Sequence, residues 1–192
     1  MKGIVKGLAL AGLGLAFAAN TAHAQKPGPE FGIQFVGFNM NNPDGSDNNT
    51  TSFGLGSGDV SVAFYINEMI AIEPTLTYAM QSYELSGADA TSQLGLRVAV
   101  PIYLKKGWGK AGGFFIAPHV AITRNDPGAG DAISQNHVGV SVGTKMKITD
   151  DLYWRVQAYW DNGLESGDVG DPDFAAKTTD MGISGGISLY WP

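Results

Sequence analysis

The stretch Gln93-Leu94-Gly95-Leu96-Arg97-Val98-Ala99-Val100-Pro101-Ile102-Tyr103-Leu104 decides the fold. Every second residue in it, from Leu94 to Leu104, is aliphatic. The residues between them are polar, small or aromatic. In an extended chain successive side chains point to opposite faces. One face of this segment is therefore continuously apolar, while the other carries Arg97 near its middle. Alternation over this length reads as a β-strand with one face in an apolar medium.

The pattern recurs on both sides of that segment. Phe31, Ile33 and Phe35 open a weaker first strand, and Val60, Val62, Phe64 and Ile66 form a second. The second follows a Gly54-Leu55-Gly56-Ser57-Gly58 run with the composition of a bulge. Ile70 to Gln81, Phe114 to Thr123, Val138 to Ile148, Trp154 to Asp161 and Met181 to Trp191 alternate in the same way. Eight strands of about ten residues are expected, the length that crosses a bilayer at a tilt. The polar faces place Glu73, Arg97, His119, Lys145, Arg155 and Asp161 in mid-strand. Charges there do not suit a dry sandwich core. They suit an enclosed polar interior, where they pair with one another and with Gln81, Gln157, Tyr103 and Tyr153.

The connections alternate in length. Asn67-Glu68, Lys105 to Lys110 and Thr149-Asp150-Asp151 are short, whereas 39–52, 84–91, 124–136 and 162–178 are long and polar. Short turns at one rim and long loops at the other describe a transmembrane barrel with periplasmic turns. The fold expected is all-β: an eight-stranded antiparallel transmembrane β-barrel of up-and-down topology. An open sheet edge in hydrocarbon costs several kcal/mol for each unpaired backbone group, so the first and last strands must pair. Pro74, Pro101 and Pro118 each remove a ladder donor, and a bulge or fraying near the periplasmic rim is expected to absorb the loss. Trp154, Trp160, Tyr78, Phe31 and Trp191 on the apolar face fit the aromatic girdles of such barrels.

The N-terminus reads as an export signal. Lys2 and Lys6 precede the short apolar run Leu8 to Ala19, and Ala22-His23-Ala24 matches a small-x-small cleavage site. A signal peptide over residues 1–24 is expected, with residues 25–192 forming the barrel domain. The mature chain would have 168 residues and a formal net charge of −8, which disfavours nucleic acid as a partner. There is no cysteine, which excludes disulfides and thiolate metal sites. Glycine is abundant at 27 residues and charged residues make up only 16%, both atypical of soluble domains.

Ser184, Gly186, Leu189 and Trp191 resemble the C-terminal strand signal of outer-membrane barrels, although the chain continues to Pro192 where such chains usually end on the aromatic residue. The segment Leu96–Leu104, a turn containing lysine and glycine, and Gly113–Ile122 resemble the middle hairpin of the small outer-membrane β-barrel domain families. These include the OmpA barrel, OmpX and the opacity-type proteins. The resemblance implies a Gram-negative outer-membrane location, contact with lipid and lipopolysaccharide, and recognition of the terminal strand by the barrel-assembly machinery. It implies no single activity.

Three functions are compatible with these residues. A structural or interaction protein that supports envelope integrity and displays acidic loops is expected first, because an eight-stranded interior is just wide enough for side chains to fill. A small passive pore for ions or solutes is the alternative. A lipid A-modifying enzyme is the third reading, with His119, His137 and Ser141 as its candidates. His137 and Ser141 share a face about 13 Å apart at ~3.3 Å per residue, too far for a direct hydrogen bond. No enzyme activity, catalytic residue, cofactor or metal is expected. The loop carboxylates Asp168, Asp171 and Asp173 lack the spacing of a helix–loop–helix calcium site and read as a solvated surface.

Overall fold

The computed structural model describes residues 28–43, 50–83, 88–104, 112–126, 131–165 and 177–191. The expected signal peptide, the Lys105–Lys110 turn and the carboxylates Asp44, Asp47, Glu84, Asp168, Asp171 and Asp173 lie outside them. So does the side chain of Gln81.

The described chain forms nine strand segments: β1 (Glu30–Pro43), β2 (Thr50–Tyr65), β3 (Ala71–Tyr83), β4 (Ala88–Ala99), β5 (Ile102–Tyr103), β6 (Gly113–Asp126), β7 (Ile133–Lys147), β8 (Leu152–Gly163) and β9 (Thr178–Tyr190). All pairings are antiparallel between sequence neighbours, β9 returns to β1, and β4 pairs with β6. β4 and β5 are two pieces of one wall strand, because both pair with β6 in a single register: Ala99↔His119 continues as Ile102↔Ile116. The result is a closed eight-stranded up-and-down barrel, so no sheet edge is left to face hydrocarbon.

The three prolines are absorbed with little loss of the ladders, and Pro118 stays in register with Val140 on β7. Val100 and Pro101 interrupt the strand between β4 and β5. The Pro101 carbonyl still accepts from the Ala71 amide at 3.0 Å, and the Pro118 carbonyl accepts from Val100 at 2.9 Å. Each ladder pair thus keeps one of its bonds although the proline brings no donor. Around Pro74 the β2–β3 ladder skips from Ser61↔Thr75 to Phe64↔Ile72, while β3 and β4 stay paired there as Pro74↔Val98.

Two features depart from the sequence expectation. The strands are longer than about ten residues, reaching 16 in β2 and 15 in β7. Ladder pairing runs on into hairpins above the apolar band, so Asn39–Pro43 and Thr50–Ser52, expected as loop, are strand. The glycine-rich stretch does coincide with a register change. β1 and β2 shift from Gln34↔Asp59 to Val36↔Leu55, and β1 and β9 shift from Gln34↔Gly186 to Val36↔Gly185. Phe35 is the extra residue on β1. It stays on the outer face, edge-on to Trp154 at 5.6 Å.

The barrel is inside-out relative to a soluble domain. Its exposed residues include Ile33, Leu76, Leu96, Val120, Val142, Ile183 and Phe114, the last with 69% of its surface free. Its buried residues include Glu30, Gln34, Glu73, His119, Lys145, Arg155 and Gln157. An apolar exterior this complete is stable only against lipid. Phe31, Trp154 and Trp191 lie at the end holding the chain termini, and Tyr78 and Trp160 toward the long connections, as two girdles would.

Candidate functional site

The inward faces of the strands build a lumen with two levels. At the short-turn end it is closed by two ion pairs. Arg155 on β8 donates from Nη1 to both oxygens of Glu73 on β3, at 2.7 and 2.6 Å. Lys145 on β7 donates to Glu30 on β1 at 2.5 Å, and the same carboxylate oxygen accepts from the Tyr65 hydroxyl at 2.5 Å. Lys145 and Arg155 face each other directly across the β7–β8 ladder. Two cations so placed repel, and each finds its carboxylate on a wall strand several places round the barrel. The Arg155–Glu73 pair spans opposite walls, since three wall strands separate β8 from β3 in either direction.

Aromatic rings fill the space around these pairs. Lys145 Nζ lies 4.8 Å from the centre of the Tyr153 ring and 5.6 Å from that of Tyr103. The Arg155 guanidinium sits 4.6 Å from the Phe115 ring centre. Cation–π contacts of this kind offset part of the cost of taking a charge out of water. Tyr153, Phe115, Lys145 and Glu73 are among the most completely buried large side chains described. Gly143 makes the layer possible: a Cβ there would lie 2.5 Å from Phe115 Cζ and 2.6 Å from the Val156 carbonyl. The rows Phe115↔Gly143↔Gln157 place that glycine between two large inward residues.

His119 and Asp161 pair one level higher. They stand on β6 and β8, with Gly139 of β7 between them in register. A Cβ on Gly139 would fall 1.8 Å from Asp161 Oδ1, so only glycine lets the two side chains meet. His119 Nε2 contacts Asp161 Oδ1, and Nδ1 lies 3.2 Å from the Ala117 carbonyl. Both ring nitrogens are thereby engaged, and neither is open to a substrate. His137 Nε2 lies 2.9 Å from Thr123 Oγ1, and Ser141 donates to the Ala117 carbonyl at 3.4 Å. His119, His137 and Ser141 thus all face inward, but no serine–histidine hydrogen bond joins them. Among the described residues no group of three His, Cys, Asp or Glu side chains is placed to hold a metal ion.

Above this level the lumen widens into a polar cavity of about 1020 Å³ at the loop end. Arg97 lines its wall. It has no ion-pair partner among the described residues, and its Nε has no hydrogen-bond partner. The six charged residues singled out in the sequence therefore do not form one network. Glu73 pairs with Arg155, His119 with Asp161, and Lys145 with Glu30, while Arg97 stands apart. Glu30 was missed. Its signal was its parity, since Glu30, Gly32 and Gln34 alternate with Phe31, Ile33 and Phe35. The terminal-strand residues divide by face: Ser184 and Gly186 are buried inside, and Leu189 and Trp191 are exposed outside.

No family model matches the chain, and no curated protein matches it in sequence. Solved structures do match its fold. Neisserial surface protein A (NspA) aligns with a TM-score of 0.59 at 10% identity, over 85% of this chain and 99% of that one. The outer membrane protein OprG from Pseudomonas aeruginosa aligns with a TM-score of 0.50 at 10% identity, over 86% and 97%. The chain thus has the fold of a small Gram-negative outer-membrane β-barrel.

Proposed function

We propose that this outer-membrane barrel is a structural and interaction protein: it supports the envelope, contacts lipid and lipopolysaccharide, and carries its long acidic connections at the cell surface. The observation that carries this reading is the closed lower lumen, where Glu73–Arg155 and Glu30–Lys145 cross a space packed with Tyr65, Tyr103, Phe115 and Tyr153. An eight-stranded interior filled in this way leaves no continuous aqueous path. Cleavage after Ala24 and recognition of Ser184, Gly186, Leu189 and Trp191 by the assembly machinery belong to the same reading. β9 closes the barrel against β1, and a signal on it would be presented before closure.

Passive conduction is the competing reading, favoured by the open cavity at the loop end. Recording from the purified barrel in planar bilayers separates the two. The sealed barrel gives no sustained single-channel steps. Regular steps that scale with salt concentration would replace this reading with the pore.

A further inference from the structure

The barrel wall is not zipped to one height all round. The β1–β2 and β3–β4 ladders run to the loop ends of their hairpins, at Asn41↔Thr50 and Tyr83↔Ala88. The β2–β3 ladder between these hairpins stops at Val60↔Leu76, and among the described residues no ladder pair joins the two strands beyond it. Just past that point the backbones still touch: a Cβ on Gly58 would lie 2.8 Å from the Tyr78 carbonyl oxygen. The contact is at the level of the Tyr78 girdle, so the wall is shut where it faces hydrocarbon. Farther toward the loops, Thr50–Gly54 of β2 and Ala79–Tyr83 of β3 keep a ladder on one side only.

A strand edge of this kind is a template for another strand. Proteins commonly guard such edges with charges or proline. Neither Thr50–Gly54 nor Ala79–Tyr83 contains a charged residue or a proline. The main chain of β3 is also aimed at the seam. The Tyr78 carbonyl points toward β2, and in an antiparallel strand main-chain groups alternate sides from residue to residue. Met80 and Ser82 therefore present their N–H and C=O groups to the open side.

The two faces of this cleft differ in chemistry. Inward lies the loop-side cavity, which Ser52 and Asp59 line from one side of the seam and Thr77 and Ala79 from the other. Its lining carries Asp59, Asp126, Asp161 and Asp180 against Arg97 alone, so it favours cations. Outward the surface is aromatic, with Phe53 68% and Tyr78 54% exposed. A strand added at the seam turns alternate side chains to these two faces.

We propose that the strand edges above the β2–β3 seam, Thr50–Gly54 and Ala79–Tyr83, are a docking cleft for an extended peptide segment in which basic and apolar residues alternate. Main-chain hydrogen bonds hold the segment, as in other cases of strand addition. Lysine or arginine at every second position meets the acidic interior, and the apolar residues between them lie beside Phe53 and Tyr78. The cleft gives a partner class to the interaction role proposed above, and rests on it.

The test is a nuclear magnetic resonance titration of the chain folded in phosphatidylcholine nanodiscs. The probe is a capped peptide of alternating lysine and valine, about eight residues long, enough to span Ala79–Tyr83. The expected result is saturable shifts of the backbone amides of 50–54 and 79–83, with an apparent Kd on the order of 0.1 mM. An isomer with the lysines in one block and the valines in another binds at least about tenfold more weakly, because its pattern no longer matches the two faces. Methylating the peptide's amide nitrogens removes its donors and abolishes the shifts. Ser82→Pro removes an edge donor outside the β3–β4 ladder and weakens binding about tenfold while keeping heat-modifiable migration on a denaturing gel. If Ser82→Pro does not fold, the methylated peptide decides. Equal binding of the block isomer or of the methylated peptide would overturn the proposal, as would shifts that stay linear in peptide concentration. Edge-amide shifts that grow with protein concentration in the absence of peptide would overturn it too, and give the edges to a second copy of the chain. Conductance in planar bilayers is read separately, so a barrel that binds no peptide and passes no current loses the cleft while keeping its sealed lumen.

Discussion

Below the level of His119 the inward side chains meet across the lumen; above it they stand back from one another. Both halves are lined by the same wall strands with the same alternation. The lower half carries Tyr65, Tyr103, Phe115 and Tyr153 with two cross-lumen ion pairs. The upper half carries Asn39, Asp59, Thr77, Thr123 and Thr178, which are shorter, and encloses about 1020 Å³. Side-chain length at inward positions thus decides whether a narrow barrel is a plug or a vessel. The difference has an energetic side as well. In the lower half a lost partner leaves a charge with no water to replace it, whereas in the upper half solvent substitutes.

The largest effect that would break this comparison is expected at Glu73. Glu73→Ala strands the Arg155 guanidinium, and removing one member of a buried pair costs about 3–5 kcal/mol. The urea midpoint of the barrel in lipid vesicles should fall accordingly; an unchanged midpoint would mean that water already reaches Arg155. Gly143→Ala comes next. Its new Cβ meets the Val156 carbonyl and Phe115, and overpacking costs about 1–3 kcal/mol.

Thr75 and Thr77 provide a finer comparison, since both point inward from β3. Thr75 is enclosed in the sealed half and Thr77 lines the cavity. Thr75→Val, which keeps the volume and removes a buried hydroxyl that has no hydrogen-bond partner among the described residues, should raise stability by about 1 kcal/mol. Thr77→Ala should stay within about 0.5 kcal/mol, measured in the same unfolding experiment.

The smallest effect lies outside the bilayer. In the turn after β7, Lys147 donates to Asp150 at 2.6 Å, and both are exposed. The hydrogen bond from Lys147 holds the Asp150 carboxyl below the usual carboxylate range, and the bond to Asp150 raises the Lys147 ammonium above the usual lysine value. Any contribution from Asp150 is present above the ordinary carboxylate range and fades as pH falls through its lowered value. Any contribution from Lys147 is present below the ordinary lysine range and fades as pH rises through its raised value. Between pH 5 and 9, a window set by the ordinary values of the two groups, the pair is constant, and Lys147→Ala should leave the unfolding midpoint unmoved.

The wall was legible in the sequence and the lumen only partly so, for a physical reason. Alternation assigns each residue a face, and it did so for Leu94–Leu104 and for every strand that followed. It says nothing of height. Whether Arg155 meets Glu73 or Arg97 meets Asp161 depends on register, and register depends on where bulges fall. One such shift, at Phe35, sets the level of Gln34 against Asp59 and Gly186. The charged residues were therefore identifiable as inward while their partners were not. Glu30 was overlooked because it opens the first strand, before the alternation is established. The glycines between pairs, Gly139 and Gly143, gave no local signal, since their role is set by residues on two other strands.

Ser184 and Ser188 stand four residues apart on β9, on the same inward face, one beside the cavity and the other enclosed at 1% exposure. The chain has no cysteine, so Ser184→Cys and Ser188→Cys each introduce a single thiol. Labelling the folded barrel with a small water-soluble methanethiosulfonate compares them directly. Reaction of the Ser184→Cys thiol, with the Ser188→Cys thiol silent until denaturant unfolds the barrel, is the predicted outcome. Equal labelling of both in the folded state would contradict a sealed lower lumen.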